Sequence, residues 1–122
     1  MFKRLVLVLL LFISLSAQAG ELDKLIEANE KLFLYLYTQD CSYCVKFNPI
    51  YNKMVKKYKG KCNFIKIDAN SKQGSFLMYE TQANYVPNVV IIDAKKRRLA
   101  KLVPNCLLEE ACMDRVLKSF VN

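Results

Sequence analysis

The sequence predicts an α/β domain: a central mixed sheet of four to five strands with helices on both faces. Three observations carry this. Segments with apolar residues at every third or fourth position alternate with apolar runs too brief for helices, the order expected of strands joined by right-handed crossovers. Late in the chain two strand-like runs, Val89 to Ile92 and Leu99 to Val103, are separated only by Asp93-Ala94-Lys95-Lys96-Arg97-Arg98, a spacing that suits an antiparallel hairpin. Finally, Cys41 and Cys44 stand where an apolar run meets a helix-like pattern.

The chain opens with Met1-Phe2-Lys3-Arg4 and an apolar run from Leu5 to Ile13, followed by small residues that include Ala17-Gln18-Ala19. A charged start, a short apolar core and a small-x-small site read as a secretory signal peptide over residues 1–19. Its apolar core is too short for a comfortable membrane span, so no stable membrane insertion is expected after cleavage. Residues 20–122 then form a single domain, large enough to hold its own core. Losing Lys3 and Arg4 takes the formal charge from +8 to +6, since no acid lies in the removed piece. The densest basic run, 95–98, lies between two strands and reads as a solvated turn. No aromatic-interleaved basic motif accompanies it, so nucleic acid is not an expected partner.

Within the domain, Leu22, Leu25 and Ile26 give a first amphipathic helix over Glu21 to Lys31. Leu32 to Thr38 reads as a buried strand. Cys41 to Tyr58 is a long helix with Phe47, Ile50, Tyr51, Met54 and Tyr58 on one side, Pro49 inside it and Gly60 as its stop. Cys62 to Asp68 is a second strand, Ala69 to Gly74 a loop or helix start, and Ser75 to Asn84 a short helix carrying Phe76 and Leu77, broken by Tyr85-Val86-Pro87-Asn88. After the hairpin, Met113, Val116, Leu117, Phe120 and Val121 make the stripe of a last helix starting near Glu109.

Asp40-Cys41-Ser42-Tyr43-Cys44 is the stretch with chemistry in it. At a helix start, unpaired N–H groups and the positive end of the helix dipole favour a thiolate at Cys41, and the thiolate is the nucleophile. Cys44, one turn on, reaches the same sulfur. A thiolate that its own neighbour can displace is the core of thiol–disulfide exchange. Three further cysteines, Cys62, Cys106 and Cys112, bring the total to five. An exported chain meets an oxidising compartment where disulfides persist, and an odd number leaves at least one thiol unpaired. If the last helix starts near Glu109, Cys106 lies in the preceding loop and folds back to Cys112, leaving Cys62 at a strand start, buried and inert. A bridge from Cys62 to either one is the competing arrangement. No histidine and no second close cysteine pair support a zinc site, so no metal is expected.

Together, the element order, the Cys41-Ser42-Tyr43-Cys44 motif at a helix start, Pro49 in that helix and Val86-Pro87 before a strand resemble the thioredoxin superfamily over nearly the whole domain. The resemblance implies a thioredoxin-like fold and an exported thiol–disulfide oxidoreductase. Cys41 would be the attacking thiol and Cys44 the resolving one, forming the redox-active disulfide. Pro87 would be a cis-proline facing them, with Val86 ready to pair with a substrate strand and Tyr43 presented to substrate. The implied partners are cysteine-containing exported proteins and a membrane redox partner for recycling. The expected location is the periplasm, and no cofactor motif is present. There are departures from the family pattern. Asp40 replaces the aromatic that often precedes the first cysteine. Tyr35 stands at the position of the buried acid. Ser42-Tyr43 replaces Gly-Pro, and Asn88 the threonine common after the cis-proline. The alternative reading is a binding module whose cysteine pair holds a partner protein or a soft metal such as Cu(I).

Overall fold

A computed structural model describes residues 20–122. The expected signal peptide, 1–19, lies outside the described residues. The elements are α1 (Gly20–Glu27), β1 (Lys31–Tyr37), α2 (Ser42–Lys57), β2 (Asn63–Asp68), α3 (Lys72–Glu80), β3 (Asn88–Asp93), β4 (Arg98–Lys101), α4 (Pro104–Leu107) and α5 (Glu110–Val121). The strands form one sheet in the order β2-β1-β3-β4. β1 pairs parallel with β2 and antiparallel with β3, and β3 pairs antiparallel with β4. Parallel pairing needs a crossover, which α2 supplies. Among the described residues no helix is long and apolar enough to cross a membrane.

β1 explains why its sequence is apolar without alternation. Leu32 through Leu36 are all fully buried, and successive side chains point to opposite faces. Phe33 and Tyr35 enter the core shared with Phe47, Tyr51 and Met54 of α2 and with Met113 and Leu117 of α5. Leu32, Leu34 and Leu36 enter the other core, with Leu22 of α1, Leu77 of α3 and Val90 of β3. The sheet is thus covered on both faces, and its central strand reads apolar at every position.

Several boundaries differ from expectation. The first helix ends at Glu27, not Lys31. Asn29 takes a left-handed φ of 58°, and Glu30 N–H bonds the Leu25 carbonyl at 3.1 Å, so Lys31 already opens β1. The expected helix over 75–84 starts three residues earlier and ends at Glu80. Ser71 caps it, its hydroxyl accepting the Gly74 N–H at 3.0 Å, so Gly74 sits inside the first turn rather than before it. A Cβ on Gly74 would collide with the Asp68 carbonyl, so only glycine lets α3 approach the end of β2 this closely. The fourth strand ends at Lys101 because Val103 caps a short helix, α4, that opens on Pro104. α4 itself was unexpected, because four residues show no period. Lastly, the helix expected from Cys41 begins at Ser42, with Cys41 as its cap.

Candidate active site

β1 runs to Tyr37, and Thr38 to Asp40 lead from its end into α2. Cys41 takes the cap position with extended backbone, φ −103° and ψ 106°. Its carbonyl accepts the Val45 N–H at 3.2 Å, and its Sγ accepts the Cys44 N–H at 3.0 Å. The sulfur thus occupies the place where a Ser or Asp oxygen usually satisfies an orphan N–H. No acidic residue lies in the first turn of α2 to compete with a negative sulfur, and Asp40 is exposed and takes no part in the cap. Cys41 and Cys44 are joined in a disulfide with Cα atoms 5.1 Å apart. Cys41 is 8% exposed and Cys44 3%, so the cap sulfur belongs to the more accessible of the two.

Beneath this turn lies Tyr35. Its ring is fully buried and packs edge-on against Phe47 and Tyr51, with centroids 4.9 Å away in each case. Its hydroxyl donates to Asn48 Oδ1 at 2.8 Å and lies 3.4 Å from the Cys44 carbonyl. Burial, helped by the neighbouring Tyr51 and Tyr37, pushes its pKa up to about 12. Tyr35 therefore stays a neutral phenol that braces the first turns of α2, and it offers no base to Cys44 at neutral pH. Sequence reasoning placed Tyr35 in the core but missed Asn48. The available signal was its position, one helical turn beyond Cys44 and on the same face.

Opposite α2, the loop before β3 supplies Tyr85, Val86 and Pro87, and the Val86–Pro87 peptide bond is cis. Val86 packs against the cluster that contains Cys41 and Cys44. Tyr43, 57% exposed, joins Val86 and Pro87 in lining a groove of about 310 Å³, closed on its far side by α4 and Leu108. Tyr43, Val86 and Pro87 are thus brought to one groove beside the cysteine pair. A second, more open groove of about 400 Å³ lies across the Tyr85–Val86 loop, lined in part by Thr38, Asn70 and Met78. Asn88, just past the cis bond, is buried, with its Nδ2 donating to Thr81 Oγ1 at 3.1 Å.

The remaining cysteines separate. Cys106 and Cys112 form a second disulfide, Cα atoms 5.2 Å apart, that ties α4 to the first turn of α5. Cys62 is a free thiol just before β2, half-buried rather than fully buried as expected, because its segment lies at the edge of the sheet. Burial pushes its pKa up to about 11 against the opposing pull of Lys31.

The thioredoxin family model matches residues 14–107 of the sequence. Among curated proteins, none matches. Among solved structures, the backbone resembles mitochondrial thioredoxin 3 of Saccharomyces cerevisiae in its oxidized form, at 22% identity over 81% of this chain and 87% of that one, TM-score 0.65. It also resembles Fasciola hepatica thioredoxin, at 19% identity over 84% and 93%, TM-score 0.66. The J-Trx1 fragment of ERdj5 superposes with TM-score 0.69 at 17% identity, over 83% of this chain but only 46% of that one. At these identities the structural likeness is one of fold, and the family rests on the sequence match. Since that match runs across most of the domain and ends on α4, this chain belongs to the thioredoxin family.

Proposed function

We propose that this chain is an exported thiol–disulfide oxidoreductase that exchanges disulfides with cysteine-containing proteins through Cys41 and Cys44. The observation that carries the reading is the Cys41 sulfur at the start of α2, accepting a backbone N–H at 3.0 Å and bonded to Cys44, with Tyr43 between the two lining a groove. A backbone donor aimed at sulfur stabilises negative charge there, and it does so without reorganisation when the disulfide opens.

In the reducing direction, the Cys41 thiolate attacks a substrate disulfide and one substrate thiolate leaves. Cys44 then attacks the Cys41 sulfur and releases the second substrate thiolate. The proton of Cys44 passes to a departing thiolate. The substrate disulfide gains two electrons and the Cys44 proton, its other thiolate takes a proton from water, and the cysteine pair becomes a disulfide. The oxidising direction is the reverse, with a substrate dithiol opening Cys41–Cys44. The Val86 backbone would pair with the extended substrate segment while Tyr43 and Pro87 flank it. The signal-like residues 1–19 support a periplasmic setting, and a membrane redox partner would reset the pair after each turnover.

The test is insulin reduction by dithiothreitol, run on wild type and Cys41→Ser, together with capture of mixed disulfides by Cys44→Ala in an exporting host. Turnover that disappears in Cys41→Ser, with exported cysteine proteins trapped, is the expected result. No turnover, with stoichiometric Cu(I) uptake by the cysteine pair, would overturn the reading in favour of a binding module.

A further inference from the structure

The second disulfide sits in a place that a simple staple does not require. α4 has only four residues and no side-chain cap, with Cys106 N–H bonded to the Val103 carbonyl at 3.1 Å and Glu109 N–H to the Cys106 carbonyl at 3.2 Å. A helix this short has no independent stability. Yet Pro104, Asn105 and Leu107 of α4, with Leu108 after it, make the far wall of the groove whose near wall is Tyr43 and Pro87.

That wall is held by Leu107, fully buried in the core, and by α5 through Cys106–Cys112. α5 in turn is fixed to α2. Lys53 pairs with Glu110 at 3.2 Å, and Lys57 with Asp114 at 2.7 Å. The Tyr58 hydroxyl donates to the same Asp114 carboxylate at 2.6 Å, and Met113 and Leu117 are fully buried in the shared core. α2 carries the reactive pair at its other end. The connection therefore runs from the active helix through α5 and the second disulfide to the groove wall, and it closes on the groove beside Tyr43.

We propose that Cys106–Cys112 is a positioning element for substrate. It holds α4 at a fixed distance from Pro87, so that the apolar residue next to a substrate's cysteine packs between Tyr43 and Leu108. The proposal rests on the oxidoreductase reading above and names a determinant of its substrate preference. The occupant follows from the lining, which is continuous with the reactive turn through Tyr43 and carries no charged side chain, with Asn105 its one amide. An aliphatic or aromatic neighbour fits there, and a charged one would lose its hydration without a partner.

The experiment starts from oxidised protein and follows single turnovers with excess dithiol, quenched in acid and read as alkylated Cys41 and Cys44 by mass spectrometry. Substrates are a short dithiol peptide with leucine beside each cysteine, the same peptide with serine there, and dithiothreitol as a dithiol with no flanks. In each case the dithiol loses two electrons and two protons to the Cys41–Cys44 disulfide. The double variant Cys106→Ala, Cys112→Ala should raise the half-saturating concentration of the leucine peptide by about tenfold. Its limiting rate, its rate with dithiothreitol and the Cys41–Cys44 equilibrium with glutathione should stay at wild-type values. Leu108→Ala, which keeps the disulfide and alters an exposed side chain, should raise the same half-saturating concentration and shrink the leucine-over-serine preference. A folded double variant with wild-type saturation overturns the proposal, as does an equal loss with dithiothreitol. If the double variant does not fold, Leu108→Ala decides, and an unchanged leucine preference overturns the proposal. A wild-type protein inert to dithiothreitol at Cys41–Cys44 sinks the oxidoreductase reading itself, a different result from lost preference.

Discussion

Replacing Cys41 by serine and by alanine should separate its two jobs. Both substitutions remove the nucleophile, so both should abolish turnover. They differ in the cap. The Cys41 sulfur accepts the Cys44 N–H at 3.0 Å from an extended cap residue, and a serine oxygen can accept from the same donor while an alanine cannot. Losing a side-chain cap costs about 1 kcal/mol, within a range of roughly 0.5–2. For a domain of about 100 residues, 1 kcal/mol corresponds to roughly 4–8 °C in melting temperature. The assay is urea unfolding of Cys41→Ser, Cys41→Ala and reduced wild type, all in dithiothreitol at pH 7. Reductant also opens Cys106–Cys112, but equally in all three, so the comparison isolates the cap. Oxidised wild type provides a second scale, since it keeps both disulfides and chain entropy gives each of two such short loops about 2 kcal/mol. The expected order is Cys41→Ser equal to or above reduced wild type, with Cys41→Ala about 1 kcal/mol below it. If serine falls as far as alanine, the sulfur does not cap α2, and the argument that a backbone donor stabilises its thiolate goes with it.

Four further predictions concern single groups. Cys62 is the free thiol, and with its pKa near 11 its thiolate at pH 8 is about one in a thousand, so iodoacetamide should label it about a hundredfold more slowly in the native than in the unfolded oxidised protein, read by mass spectrometry. Tyr35 and Tyr58 are raised from 10.0 to about 12, chiefly by burial and at Tyr58 also by its bond to Asp114, and Cys62 is raised from 9.0. The folded state holds protons that the unfolded state gives up, so stability is full below pH 9 and should fall as pH rises through about 12, seen as a declining urea midpoint whose slope lessens in Tyr58→Phe. Asp114 works in the opposite sense: the Lys57 hydrogen bond, then that of Tyr58, lowers its pKa, so its contribution is present above pH 3.8 and lost on acidification, and Asp114→Asn should flatten the acid limb. Gly74→Ala should destabilise by roughly 1–3 kcal/mol, because the added methyl meets the Asp68 backbone rather than a yielding side chain, and a wild-type midpoint would refute the close approach of α3 to β2.

Much of the fold was legible because β1, α2 and α5 advertise themselves through local spacing. The run over 32–36 is apolar at every position, as a strand covered on both faces must be. Errors fell where a local signal was ambiguous or absent. The stretch 69–74 read as either a loop or a helix start; Ser71 is the cap that settles it, and Gly74 is there to admit the Asp68 carbonyl. α4 is shorter than the period by which helices are recognised. In the site, the motif marked the reactive pair, but Asn48 matters only through a hydroxyl from a strand 13 residues earlier.

The sequence by itself determined the order of elements other than α4, the thiols at the start of α2 and the apolar character of the central strand, because each follows from residues a few positions apart. Only the tertiary structure decided that Cys106 pairs with Cys112 and leaves Cys62 free, that Tyr35 braces the reactive turn, and that Tyr43, Pro87 and Leu108 share one groove. Most of those pairings join segments distant along the chain. Their separations are set by how β1, α2 and α5 pack around one core, a quantity that no local spacing contains.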